Sequence, residues 1–292
     1  MGDVPPLTHT NPVIVESQDH GAYVQHKLRY ETSRDVFIPA WLLVPTEATA
    51  DHPAPGLLAL HGHGTGKDQL VVRTEEPNIY RSFGRRYAER GYVVLAPDAI
   101  GFGERSEAFH RYGTRDGCNV NFLRLALLGM NLMALNLQDD RHALSVLAAR
   151  PEVDANRLAC AGLSFGGTRT MYLTALDERV SAAIVSGYLT SFRAYALDTG
   201  NFCGSQFLPG IYRYADVADL HGLIAPRPLL IQAGCADRGF PIKASRDAQT
   251  HLANIYTAAG VPDRLERAEF DGGHEFHLST ALTFIDRWLM AQ

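Results

Sequence analysis

The chain has 292 residues, 46% of them hydrophobic and 20% charged, which suits a packed globular protein and excludes a disordered, low-hydrophobicity one. Its net charge of −5 and the absence of any lysine-rich run give no electrostatic footprint for nucleic acid or an anionic membrane. A chain of this length is within the range of one α/β domain, so a single domain over 1–292 is expected.

Met1 to Pro12 has neither a basic start nor an apolar core, so no signal peptide is read and a reduced, cytoplasmic setting is expected. Val13–Glu16, Tyr23–Tyr30 and Val36–Val44 are predicted strands with no helical segment between them, which implies an antiparallel meander at one sheet edge. Gly56–Leu60 is a short continuous apolar run, the pattern of a strand buried on both faces, and it ends in His61-Gly62-His63-Gly64. From here helices and strands alternate. Asn78–Arg90 is a predicted helix stopped by Gly91, Tyr92–Ala96 a buried strand ending at Pro97-Asp98, and Val120–Ala149 one long helix terminated by Pro151. Its apolar part, Phe122–Leu137, is interrupted by Arg124, Gly129, Asn131 and Asn136, so it is read as core, with lid and dimer face as the other readings. A homo-oligomer therefore stays open.

Leu158–Leu163 turns abruptly at Ser164 into a segment of helical character, Arg169–Leu176. Strands at Val180–Val185, Pro228–Gln232 and Leu265–Phe270 follow, with helices at Ile242–Ala259 and His277–Met290. This β-α-β-α rhythm predicts a mostly parallel sheet with helices on both faces. Residues 101–119 and 188–216 break it. Both emerge from carboxyl ends of strands, where open α/β sheets place ligands, and both are expected to cover a site.

The chemistry centres on Gly162-Leu163-Ser164-Phe165-Gly166-Gly167. In a G-x-S-x-G turn between strand and helix the serine takes a strained backbone position that lifts its hydroxyl clear of the sheet, so Ser164 is the candidate nucleophile. The bland alternative is a helix N-cap. A serine hydroxyl needs a neighbouring base, and the base needs a partner that fixes its tautomer. Asp237, just past a buried strand, is the candidate acid, with Asp247 a weaker rival; His274, on a Gly-Gly turn after the last strand, is the candidate base, with His277 in reserve. The backbone N–H groups of Phe165 and His63 are the candidate oxyanion donors. His61 and His63 do not make a metal pair, because no carboxylate or cysteine stands at ligand spacing; Cys118, Cys160, Cys203 and Cys235 are scattered without a C-x-x-C pair. No cofactor is expected. Phe102 and Glu104, in a segment that shapes a turn after Asp98, and the aromatics Phe202 and Phe207 in the second insertion are candidate substrate contacts.

These pieces together resemble the α/β-hydrolase superfamily over nearly the whole chain, and within it the dienelactone hydrolase and bacterial acetyl xylan esterase-like branch. The residues that carry the likeness are His61-Gly62-His63-Gly64, the elbow at Ser164, Ala225-Pro226-Arg227-Pro228, Asp237 and Gly273-His274. Dienelactone hydrolases use cysteine where this chain has Ser164, which favours ester hydrolysis over lactone-diene chemistry. The resemblance implies eight core strands and a small-molecule ester substrate, with an acetylated carbohydrate as one form of it. Two rivals stand beside it: a prolyl oligopeptidase-like serine peptidase, whose propeller domain would not fit before His61, and a non-catalytic hydrolase-fold binding module.

Overall fold

The structure, a computed structural model, describes residues 5–6, 11–33, 35–73, 78–106, 117–200, 203–206 and 208–290. Its centre is a nine-stranded sheet of order β1-β2-β3-β5-β4-β6-β7-β8-β9. The antiparallel edge comprises β1 (Val13–Asp19), β2 (Tyr23–Ser33) and β3 (Val36–Pro45), joined to the parallel part through β3 and β5 (Val93–Pro97). The parallel strands are β5, β4 (Ala54–Leu60), β6 (Val153–Leu163), β7 (Val180–Ser186), β8 (Leu229–Gly234) and β9 (Leu265–Phe270). The sheet has nine strands where the resemblance implied eight; β1, expected in the meander, is its outermost strand and is exposed along its whole length.

Side-chain alternation along the central strands separates two apolar layers. Ala159, Ala161 and Leu163 of β6 pack with Phe83 and Tyr87 of helix α1 (Phe83–Ala88) and Phe284, Ile285 and Leu289 of helix α7 (Leu278–Leu289). Leu158 and Cys160 face the other way, onto Leu144 and Leu147 of helix α3 (Leu132–Ala148) and Leu173 of helix α4 (Phe165–Leu176). Covering both faces is what lets β4 and β5 be apolar without interruption. Helices α5 (Val217–Gly222) and α6 (Ile242–Ala258) extend the α4 side.

Two helices differ from expectation for local reasons. Of Asn78–Arg90 only α1 is α-helical, because the Asn78 side chain accepts from the Tyr80 N–H and donates to the Gln69 carbonyl, holding a turn in which Arg81 and Ser82 have positive φ. The long Val120–Ala149 helix is two. Helix α2 (Gly117–Leu127) ends at Gly129, which takes φ +75, and Asn131 caps α3 by accepting from the Ala134 N–H. The core reading of 122–137 holds for α3 and fails for α2: Leu123 and Leu127, with Leu128 just after, are 59%, 87% and 66% exposed, because α2 lies in the covering layer and packs against α3. No helix among the described residues is long and apolar enough to cross a membrane.

Candidate active site

The turn after β6 explains its own sequence. Ser164 sits at φ +62 and ψ −123, held by its N–H donating to the Ser186 carbonyl at 2.9 Å. A left-handed φ at a non-glycine residue is strained, and it is tolerated where the surroundings dictate it. Here they do. A Cβ on Gly162 would come within 2.3 Å of the Gly166 carbonyl oxygen, and one on Gly166 within 2.0 Å of the Leu60 carbonyl oxygen. Only glycines let α4 start this close to β4 and β6. Phe165, the first residue of α4, therefore presents its N–H at a helix N-terminus, where the macrodipole favours negative charge. Behind it, Arg169 forms a two-pronged ion pair with Asp140 of α3, and both side chains are fully buried. The pair fixes α4 against α3.

Asp237 follows β8 and is 7% exposed. One carboxylate oxygen accepts from the N–H groups of Gly239 and Phe240, at 2.8 and 3.0 Å. The other lies 2.6 Å from His274 Nδ1. A carboxylate accepts hydrogen bonds, so Nδ1 donates to it and Nε2 is the ring nitrogen left to accept a proton. The imidazole stacks on Phe240 at 5.3 Å between centroids and 16° between planes. Its loop is pinned from below by Gln232, whose side chain donates to the His277 carbonyl at 2.7 Å and accepts the His277 N–H at 3.1 Å. Gly234 is required there, because a Cβ would meet the Gly273 carbonyl oxygen at 2.1 Å.

Ser164, Asp237, His274 and His63 line one cavity of about 590 Å³ with Gly200, Cys203, Gln206 and the Ala236–Phe240 loop. All four stand at carboxyl ends of strands: Ser164 after β6, Asp237 after β8, His274 after β9 and His63 after β4. Gly200, Cys203 and Gln206 of the second insertion are thus part of the lining, and this insertion is tied to the first by the Gly204 N–H donating to Asn119.

His61 does not reach the cavity. It is fully buried, its Nδ1 donates to the Gly62 carbonyl at 2.7 Å and its Nε2 accepts from the Ala99 N–H at 3.0 Å, and burial lowers its pKa to about 3. It is a neutral strut of the loop. The Tyr80 hydroxyl completes that brace by accepting from the Gly62 N–H and donating to the His63 carbonyl, at 3.0 and 3.2 Å.

The expected substrate contacts divide differently. Phe102 is 6% exposed and packs edge-on to the rings of His61 and His63 at 5.4 Å each, and at 5.6 Å from Phe165; it supports the loop from behind and does not line the cavity. Glu104 pairs with Lys27 and Lys67, and Lys67 with the buried Asp98, which also accepts the Lys67 and Glu104 N–H groups. This knot shapes the turn. Phe202 and Phe207 lie outside the described residues. His277 stacks on Phe270 at the start of α7 and Asp247 pairs with Lys243 on the surface, so neither rival meets the cavity.

One feature escaped sequence reasoning. Cys203 lines the cavity with its Sγ 3.0 Å from His63 Nε2 and 2.9 Å from Ser205 Oγ. A hydrogen bond from Cys118, and after it the contact with His63, lowers its pKa to about 5 against the opposing effect of burial. Positions 63, 118 and 203 carry no shared spacing, so no linear pattern marks them.

The Abhydrolase family profile matches residues 3–270, ending four residues before His274. Over 99% of this chain and 96% of its own length, YtaP of Bacillus subtilis (strain 168), a provisionally named hydrolase, is 25% identical. Among solved structures, the acetyl xylan esterase from Paenibacillus sp. R4 superposes with a TM-score of 0.70 at 22% identity, over 97% of this chain and 90% of its own. The glucuronoyl esterase from Solibacter usitatus gives 0.69 at 16%, over 98% and 88%. Acetyl xylan esterase 1 from Thermoanaerobacterium sp. JW/SL YS485 gives 0.67 at 18%, over 97% and 90%. At these identities the likeness establishes a shared fold.

Proposed function

The chain belongs to the Abhydrolase family, and from that premise we propose that it is a serine hydrolase of small-acyl carboxylic esters, acetylated carbohydrate among them. The observation that carries the reading is the Asp237–His274 hydrogen bond of 2.6 Å, made in the cavity that also holds Ser164 on its strained turn.

In this mechanism the Ser164 hydroxyl attacks the ester carbonyl and gives its proton to His274 Nε2. Asp237 holds the ring in the tautomer that leaves Nε2 free and stabilises the imidazolium. The tetrahedral oxyanion forms beside the N–H groups of Phe165 and His63, one at the start of α4 and one on the braced loop after β4. His274 then protonates the departing alcohol, and water repeats the sequence on the acyl-enzyme. The esterases among the structural relatives support the substrate class. So does the cavity volume, which suits a compact acyl group or one sugar ring.

The test is hydrolysis of a p-nitrophenyl ester series from acetyl to decanoyl by the native chain and by Ser164→Ala, with fluorophosphonate labelling alongside. Preference for the short acyl chains and a loss of at least about a thousandfold in the variant are expected. Unchanged turnover in Ser164→Ala would remove the mechanism. Activity on long chains alone would remove the substrate class.

A further inference from the structure

We propose that His63, Cys118 and Cys203 form a binding site for a thiophilic divalent cation, zinc in the first instance, with a fourth coordination position open to the cavity that holds Ser164. The three residues come from separate parts of the chain: the loop after β4, helix α2 and the second insertion. Their ligand atoms nevertheless all lie within 4.8 Å of one another. Zinc holds sulfur at about 2.3 Å and imidazole nitrogen at about 2.0 Å, so tetrahedral ligands stand roughly 3.5 Å apart. The His63 Nε2 to Cys203 Sγ separation of 3.0 Å and the 4.8 Å limit bracket that value, and small side-chain rotations would meet it.

The donor set decides the kind of ion. Two sulfurs and an imidazole, without a carboxylate, disfavour magnesium and calcium and suit zinc. Three protein ligands with one open position is the pattern of sites where the ion meets solvent or ligand. Here Cys118 is 3% and Cys203 6% exposed, while His63 and Cys203 both line the cavity, so the fourth position faces it. Ser205, fully buried with its hydroxyl 2.9 Å from Cys203 Sγ, supplies the outer hydrogen bond that steadies a coordinated thiolate. A bound ion would fasten α2 and the second insertion to the loop that carries the His63 N–H. The inference stands on this cluster and not on the role given to Ser164.

The experiment titrates the full, reduced, metal-free chain with Zn²⁺ against a chromophoric chelator and with Co²⁺ by absorbance. X-ray absorption of the zinc-loaded chain then reads the ligand set. One ion per chain, a thiolate-to-cobalt charge-transfer band and a zinc shell of two sulfurs with imidazole are expected. Cys118→Ser and Cys203→Ser should each weaken binding at least about tenfold and reduce the intensity of the band, and the double variant should abolish it. Cys235→Ser should bind like the native chain. Absence of the band, a zinc shell without two sulfurs, binding undiminished in both variants, or a Cys118–Cys203 disulfide that persists under reductant would each overturn the proposal. The X-ray absorption measurement needs no variant, so a Cys118→Ser chain that fails to fold leaves the proposal decidable.

Discussion

Asp237→Asn separates what Asp237 does for the fold from what it does for His274. The N–H groups of Gly239 and Phe240 point at one side of the carboxylate and His274 Nδ1 at the other. An amide at this position keeps its oxygen on the two backbone donors, because turning it over would set NH₂ against both. Its NH₂ then faces Nδ1. The ring must answer by becoming an acceptor at Nδ1, which puts its proton on Nε2, the nitrogen that has to receive the proton of Ser164. The expected loss in kcat is about 10³- to 10⁴-fold, equivalent to roughly 4 to 5 kcal/mol of barrier. The two backbone hydrogen bonds survive, so stability should fall by no more than about 1.5 kcal/mol. Asp237→Ala would lose both functions, removing the carboxylate acceptor of the buried Phe240 N–H and of the Gly239 N–H, at about 1 to 3 kcal/mol for the buried donor. The assay is turnover of p-nitrophenyl acetate together with urea denaturation of both variants. An Asn variant that turns over within tenfold of the native chain would refute the reasoning, since the tautomer would then be irrelevant.

Three further expectations follow from the same framework. Gly166→Ala places a methyl 2.0 Å from the Leu60 carbonyl oxygen, against rigid backbone, and should cost at least about 1 to 3 kcal/mol; a urea midpoint unchanged from the native chain would show that α4 shifts freely. Asp140→Ala leaves the Arg169 guanidinium buried without its partner and should cost about 3 to 5 kcal/mol, whereas Asp140→Leu with Arg169→Met should recover most of that in chemical denaturation. His221 in α5 is fully buried, with Nδ1 2.8 Å from the Val217 carbonyl, and burial lowers its pKa to about 4 from the ordinary 6.5. The unfolded chain therefore binds a proton first as pH falls. Its contribution is complete above pH 6.5 and is lost between there and about pH 4, to the extent of about 3 kcal/mol. Stability profiles of the native chain and His221→Leu should diverge only in that window, and parallel profiles would contradict the assignment.

What could be read from the linear chain is what short-range stereochemistry dictates. Gly162, Gly166 and Gly167 around Ser164 announce a strand that must turn into a helix at once, and the turn was found with Ser164 at φ +62. Uninterrupted apolar runs at Gly56–Leu60 and Tyr92–Ala96 mark strands covered on both sides, so the parallel sheet was legible too. A parallel sheet gathers the carboxyl ends of its strands at one edge, which is why Asp237 and His274, each placed after a strand, line one cavity with Ser164 while Asp247 and His277 do not. Helix boundaries were less legible. Asn78 and Asn131 act through single side-chain hydrogen bonds that override the apolar spacing around them.

The covering layer was decided by tertiary packing alone. Its position depends on contacts between segments distant in sequence, and composition carries no register for those. Phe102 reads as well as a substrate contact as it does as a buttress until its ring is seen against His61, His63 and Phe165. The apolar stretch of α2 reads as core until the break at Gly129 turns it outward. Cys118 and Cys203 carry no metal spacing along the chain. They meet His63 because the Asn119–Gly204 hydrogen bond and the packing of both insertions close 140 residues of intervening chain into a few ångströms.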